Sequence, residues 1–496
     1  MSRRLIPGVN DLVFGLVLAS VLMGGRTRLL NDPGTSWHLR LGREILQTRA
    51  VPRTDFLTFT HAGEPWVDQS WLFDVALALV VNLGGWSAAG TVCGLTIAAV
   101  YWGLGRGLSR AGVSPLAVLV VGLLAAGMGA THFLIRPHLV TLAFVMLTLQ
   151  ICRVQHERGG FRVFLVPVLM IPWANIHGGF LAGPVIVLTS VAGHAASGPW
   201  DQKRRGQAGR FAVAGALCLV TALINPYGFE LYRHVGRLLV SSGVTELIEE
   251  YQPIPFGKPD ARAVELVLLA LIALPTVSSG RLSRYDLAHV ILWMHLSLAS
   301  VRHAPLFALA VAPGLGRLLD GLPGFRPAPR DQLDQEVISF WPGIAAVGLG
   351  LAVAFKVTLV GMDPGHWPIA ALPTLNRAPT EFRLFHEQDW GGYIEAECRP
   401  QRATFIDDRF ELFGKEGVLQ YIRALEGGPD WDDLRDRESI RLAWVRPDRG
   451  LARRLGSDPE WKVRHRDSIS VLFERVTPAI KSNSVARSES DSLLAK

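Results

Sequence analysis

Charge is scarce in this chain. Asp, Glu, Lys and Arg make up 19% of its 496 residues, against about 25% in soluble globular proteins. A string of ordinary soluble domains is a poor fit to that deficit. Cysteine is scarcer: Cys93, Cys152 and Cys218 fall in apolar runs and Cys398 stands alone near the tail. Four cysteines exclude a disulfide scaffold, and the lack of a CxxC or Cys/His cluster leaves zinc without ligands. No internal repeat or low-complexity run is evident. What is plentiful is apolar side chain, 49% of residues, which excludes disorder for the chain as a whole. The net charge of +7 and a pI near 9.4 could indicate nucleic acid. The basic residues lie mostly in short loops between apolar runs and in the tail, so membrane topology explains them better and no nucleic-acid partner is expected.

A membrane helix needs about 20 mostly apolar residues. About eleven such stretches are readable, at roughly 8–24, 86–105, 114–130, 133–151, 162–175, 178–194, 211–225, 263–279, 285–301, 303–318 and 339–361. The first follows Ser2-Arg3-Arg4, but Met23-Gly24-Gly25-Arg26 is a poor cleavage site, so it reads as a retained helix. With the N-terminus inside, the inner loops collect Arg106 and Arg110; Arg153, Arg158 and Arg162; Lys203, Arg204, Arg205 and Arg210; Arg281 and Arg284; Arg317, Arg326 and Arg330. The outer face then receives residues 25–85, residues 226–262 and everything after about 362. The expected organisation is a membrane body over 1–362, a small α/β domain over 363–478 outside the membrane, and a disordered tail over 479–496.

The outer face also collects the unusual polar motifs. Loop one carries Asn31-Asp32-Pro33-Gly34-Thr35-Ser36-Trp37-His38, then Val51-Pro52-Arg53-Thr54-Asp55, then Pro65-Trp66-Val67-Asp68-Gln69-Ser70-Trp71. Residues 35–48 place Trp37, Leu41 and Ile45 opposite His38, Arg40, Arg43 and Glu44, the pattern of an amphipathic helix lying on the membrane surface. Residues 70–83 read as a second surface helix or a tilted approach to the next span. The tryptophans at 37, 66 and 71 suit the interfacial belt. Further outer motifs are Arg136-Pro137-His138, Asn175-Ile176-His177-Gly178-Gly179, Asn225-Pro226-Tyr227-Gly228 and Arg302-His303-Ala304-Pro305. A single Arg or His at a helix end can simply snorkel. Ionisable groups from four separate loops on one face instead indicate a shared polar cavity open outward. Asp32-Pro33 also fits a plain helix cap.

These motifs, with Asp389-Trp390-Gly391-Gly392-Tyr393 in the tail, resemble those of a group of uncharacterised bacterial polytopic proteins. That group in turn looks like the GT-C glycosyltransferases, multispan enzymes that use polyprenyl-phosphate-linked sugars. The resemblance implies a GT-C-like membrane protein in a bacterial inner membrane. Its N-terminus would be cytoplasmic and its C-terminal domain outside. Its partners would be the bilayer, a polyprenyl-phosphate-sugar donor and a glycan, lipid or protein acceptor. It implies an essential acid in loop one: Asp32, just after span one, inherits the base role, with Asp68 and Asp55 as further candidates. His38, Arg136, His138, Asn175, His177, Arg302 and His303 are candidate substrate contacts. The chemistry agrees, because sugar transfer needs a base for the acceptor hydroxyl and cations for the leaving phosphate. Loop one has no Asp-x-Asp pair, so no metal ligands are assigned, and a divalent metal stays open.

In the tail, residues 403–409 read as a buried strand ending in Asp407-Asp408-Arg409, which could touch substrate or fix the domain on the cavity. Residues 415–425 read as a helix, and 440–445 and 468–473 as strands. Two other readings of the whole chain use the same features: a transporter or flippase of a lipid-linked or anionic substrate, and a non-catalytic assembly or sensing protein.

Overall fold

Every one of the eleven apolar stretches overlaps a helix, because an apolar segment without water to bond must satisfy its own backbone. The computed structural model describes residues 3–24, 27–241, 243–325 and 338–476. The tail expected to be disordered at 479–496, and Arg26, Arg326 and Arg330, lie outside the described residues. The body contains α1 (Val9–Ala19), α2 (Pro33–Thr48), α3 (Trp71–Arg110), α4 (Pro115–Gly129), α5 (His138–Arg158), α6 (Leu165–Ala174), α7 (Ala182–Ala196), α8 (Gln202–Thr221), α9 (Glu230–Gly236), α10 (Arg262–Val277), α11 (Arg284–Ala299), α12 (Ala304–Asp320) and α13 (Trp341–Ala354). Among the described residues, four segments are both long and apolar enough to cross a bilayer: Trp71–Arg110, Pro115–His132, His138–Arg158 and Gly178–Ala196. Large apolar side chains such as Leu116, Leu147, Leu188, Leu266 and Ile272 remain exposed on the outside of the bundle, the face that lipid would cover.

Helix α3 is broken near its start. Gly85 has φ of 65°, a left-handed conformation that favours glycine, so residues 71–83 approach at an angle and the apolar run continues beyond the break. One helix length away from the Arg136-Pro137-His138 motif, Asp286 of α11 is clamped between Arg153 of α5 and Arg317 of α12. Arg153 sits about 22 Å along α5 from His138. This cluster ties three helices together at the other end of the body.

The tail forms a four-stranded sheet in the order β1-β2-β4-β3, with β1 (Arg383–His386), β2 (Ile440–Val445), β3 (Trp461–Arg466) and β4 (Val471–Arg475). β1 runs parallel to β2 and the other neighbours are antiparallel. Both faces are buried: Phe385, Ala443 and Phe473 on one, Leu384, Leu442, Trp444 and Leu472 on the other. The expected strand at 403–409 is not formed. Thr404 makes only an isolated bridge to Thr58, accepting from Phe59 N at 2.9 Å and donating to Leu57 O at 2.9 Å. Its partner is loop one, and the pairing ends after one residue. The same contacts fasten the tail to the membrane body.

That fastening changes the reading of α2. The helix forms where the apolar period predicted it, but it does not lie with one face in lipid and the other in water. It packs on α3 and on the short helix Gly391–Glu397 of the tail, and Gly34 through Leu39, with Leu41, Gly42 and Ile45, are buried. The approach is tight: a Cβ on Gly392 would stand 2.6 Å from the Pro33 carbonyl, which accounts for one glycine of the Trp390-Gly391-Gly392 motif. Trp37 and Trp66 are buried in this interface rather than in an interfacial belt.

Candidate active site

A cavity of about 720 Å³ opens where α2, the start of α5, the 247–251 turn and the tail meet. Asp32, His38, Asp68, Arg136, His138, His177 and Arg302 all line it. Seven of the ten residues singled out by sequence therefore converge from four segments of the body. Asp55, Asn175 and His303 do not reach the cavity.

Arg136 is the centre of the arrangement. Pro137 starts the helix behind it, and its own guanidinium faces three carboxylates: Asp32 at 3.0 Å, Asp408 at 3.1 Å and Glu250 at 3.6 Å. One guanidinium cannot satisfy three ionised acids, so the acids divide. Glu250 resists burial through the charges of Arg136 and Arg302 and is pulled down to about 2. Burial instead raises Asp408 to about 7, against the pull of Arg136 and with a further push from Asp32. Trp37 Nε1 also donates to Asp408. Arg136 itself holds its proton more firmly than usual, because these acids outweigh its own burial. Arg302 differs: it stacks on the Tyr251 ring at 4.3 Å, and among the described residues it has no carboxylate within ion-pair distance.

Asp32 is both cap and cavity wall. Its Oδ2 accepts from Thr35 N at 2.8 Å and Thr35 Oγ1 at 3.0 Å at the N-terminus of α2, while Oδ1 faces Arg136. Burial raises its pKa, and Arg136 and Thr35 counteract that rise. Asp68 is held more loosely. Ser70 N donates to its Oδ1 at 3.0 Å, while Oδ2 is buried with no hydrogen-bond donor. Burial raises it to about 6, moderated by Ser70, Asp74 and Arg409. His38 places Nδ1 2.6 Å from Asp74 Oδ1, and its ring stacks on Trp37 at 3.7 Å. Burial and the charges of Arg136, His177, Arg409 and His138 keep it well below the usual histidine range, hence neutral. His177 accepts from Gly179 N at 3.1 Å through Nδ1, leaving Nε2 as the protonated nitrogen. His138 Nε2 bonds His132 O at 2.6 Å. Gln69 closes over Gly178, where a Cβ would collide with its Oε1, so that glycine serves a close approach.

The other expected residues do structural work. Asp55 accepts from Leu57 N, Thr58 N and Thr58 Oγ1, and pairs with Arg409 at 2.8 Å; Arg409 also holds Asp407 at 2.6 Å. This buried clamp joins loop one to the tail, which is why Asp55 is turned away from the cavity. Asn175 donates to Ile171 O and Ile224 O and accepts from Trp71 Nε1, bracing three helices. His303 bonds Leu296 O at 3.2 Å. Sequence reading passed over Glu250 and Asp74. Asp74 had a signal, an acid inside Trp71-Leu-Phe-Asp-Val-Ala-Leu; Glu250 had none beyond its place in an outer segment. Among the described residues, no group of three or more His, Cys, Asp or Glu is arranged to hold a metal ion.

No family model matches the chain, and no curated protein matches it. Solved structures do. ArnT from Cupriavidus metallidurans in its apo state aligns over 93% of this chain and 97% of its own, with a TM-score of 0.55 and 14% identity. The same protein bound to undecaprenyl phosphate aligns over 95% and 98%, with a TM-score of 0.54 and 16% identity. The Archaeoglobus fulgidus oligosaccharyltransferase aligns over 88% and 69%, with a TM-score of 0.49 and 10% identity. Helical body and appended tail sheet together have the fold of ArnT.

Proposed function

We propose that this protein transfers a sugar from a polyprenyl-phosphate donor to an acceptor hydroxyl at the outer face of a bacterial inner membrane. The observation that carries the reading is the pairing of Asp32 with Arg136 on one cavity, beside an Arg302 whose charge is not matched at close range. The GT-C-like fold supports it, as does the undecaprenyl phosphate bound by ArnT. In this reading the donor's phosphodiester anion settles on Arg136 and Arg302. It competes with Asp32 for Arg136 and so releases Asp32 Oδ1, while Thr35 keeps Oδ2 fixed. The freed carboxylate takes the proton of the acceptor hydroxyl. The acceptor oxygen bonds to the anomeric carbon, and the carbon–oxygen bond to phosphate breaks with its electron pair. The products are the glycosylated acceptor, polyprenyl phosphate and a protonated Asp32. The arginines stabilise the charge that gathers on the leaving phosphate.

The membrane body and tail would be oriented with residues 196–210 inside and the cavity outside. The test is release of undecaprenyl phosphate from a panel of undecaprenyl-phosphate sugars by the full chain in nanodiscs, with candidate glycan and lipid acceptors added. Release with one sugar and one acceptor class is expected. Intact donors throughout, alongside movement of lipid-linked substrate between leaflets in proteoliposomes, would replace this reading with a flippase.

A further inference from the structure

A second cavity, of about 530 Å³, shares Trp66 as a wall with the catalytic one and lies between loop one, α9 and the tail helix Phe410–Leu425. Arg53, Tyr227, Glu230, His234, Arg237 and Glu411 give it its polar lining. Glu230 and Arg237 neutralise each other at 2.5 Å. Arg53 and Glu411 do not. Trp66 holds both, its backbone N–H donating to Arg53 O at 2.9 Å and its Nε1 donating to Glu411 Oε1 at 3.4 Å. The Arg53 guanidinium lies over the Tyr227 ring at 5.4 Å and donates to Pro226 O at 2.8 Å. Among the described residues neither Arg53 nor Glu411 has an oppositely charged partner within ion-pair distance. The cavity thus presents one unmatched charge of each sign. His234 adds a further vacancy: it is 8% exposed, and its Nε2 is buried without the partner that buried polar atoms nearly always have.

The surroundings of this cavity suit a membrane surface. α8 ends at Thr221, and Tyr232 of α9 fastens to its last turn by donating to Leu219 O at 2.7 Å. Val220, Ile224, Phe229 and Leu239 around that junction stay exposed, as side chains facing lipid do. We propose that the second cavity binds the headgroup of a zwitterionic phospholipid of the phosphoethanolamine type, with its phosphodiester on Arg53 and its ammonium on Glu411. A guanidinium bonds a phosphate through two parallel N–H groups, and an ammonium has three N–H groups for a carboxylate. A purely anionic headgroup leaves Glu411 unmatched, and a purely cationic ligand leaves Arg53 so. The acyl chains have the exposed apolar side chains beside α9 to lie on. Neither Arg53 nor Glu411 serves in the sugar-transfer chemistry above. The bound lipid ties loop one, α9 and the tail together.

The experiment titrates the full chain in detergent with short-chain phosphatidylethanolamine, short-chain phosphatidylglycerol and soluble glycerophosphoethanolamine, with thermal melting as the check on folding. Wild type should bind phosphatidylethanolamine more tightly than phosphatidylglycerol by about tenfold or more. Glycerophosphoethanolamine should compete for the same site more weakly, because it has no chains to bury. Glu411→Gln keeps an acceptor for Trp66 Nε1 and should erase the preference by weakening phosphatidylethanolamine alone. Arg53→Gln should weaken both lipids by about tenfold or more, and Arg53→Lys, which keeps the charge, should lose less. Arg53 does not line the catalytic cavity, so its effect marks the second one. Equal affinity for the two lipids in wild type, a preference that survives Glu411→Gln, or wild-type binding of phosphatidylethanolamine by folded Arg53→Gln protein would overturn the proposal. Glycerophosphoethanolamine binding as tightly as the lipid, and not displaced by it, would give the cavity to a soluble ester and overturn the membrane source.

Discussion

Replacing Arg136 by Gln separates two consequences of the same geometry. The guanidinium faces Asp32 at 3.0 Å, Asp408 at 3.1 Å and Glu250 at 3.6 Å. Removing one partner of a buried ion network costs about 3–5 kcal/mol of stability. The lower end is expected here, because Asp408, already held up to about 7, can take a proton and stop repelling its neighbours. Donor binding loses at least one charge-assisted contact, about 1.5–3 kcal/mol, or roughly 10- to 150-fold in Kd. The double variant Arg136→Gln, Asp408→Asn removes the unpaired acid along with the arginine. It should recover much of the melting temperature and none of the affinity. Thermal melting in detergent and undecaprenyl-phosphate binding in nanodiscs read the two effects separately. A folded Arg136→Gln protein that binds the lipid phosphate with wild-type affinity would refute the assignment of Arg136 to the phosphate.

Other outcomes follow from the same contacts. Asp55→Asn breaks the buried clamp to Arg409 and should lower stability by about 3 kcal/mol, seen as a lower melting temperature, while donor affinity in the folded fraction stays within about twofold; a large affinity loss without destabilisation would instead put Asp55 in the site. Asp408 holds its proton up to about 7 in the folded protein and loses it in the ordinary carboxylate range when unfolded, so its contribution to stability is full at low pH and is lost as pH rises through 7. The same proton frees Arg136 from a competing carboxylate. A phosphodiester donor should therefore bind more tightly at pH 6 than at pH 8, and Asp408→Asn should flatten that dependence; a dependence that survives in the variant would exclude Asp408 as its source.

Local physics made part of this site legible in the sequence. Asp32, Arg136, His177 and Arg302 stand out because ionisable groups beside apolar spans need a reason, and the cavity supplies it. The period that revealed α2 was also sound. Hydropathy could not say what would cover the helix, and the cover is a tail segment more than 350 residues away, fitted around Gly392. Asp55 misled for the same reason. Its partner Arg409 is 354 positions distant, and an acid in a loop looks alike whether it serves a clamp or a reaction. The predicted strand at 403–409 has the right apolar character, but strandedness depends on a partner, and loop one offers Thr404 only one bridge. Asp408 became part of the site through that docking.

The central claim, sugar transfer with Asp32 as the base, is tested most directly by Asp32→Asn. Asn serves equally well as an N-cap and keeps the bonds to Thr35, but it accepts no proton. The measurement is transfer of labelled sugar from the undecaprenyl-phosphate donor that wild type consumes, by both proteins in nanodiscs, with donor affinity measured in parallel. The account predicts a rate lower by about 10²–10⁴ with donor still bound and the protein still folded. Turnover by Asp32→Asn at the wild-type rate would contradict it.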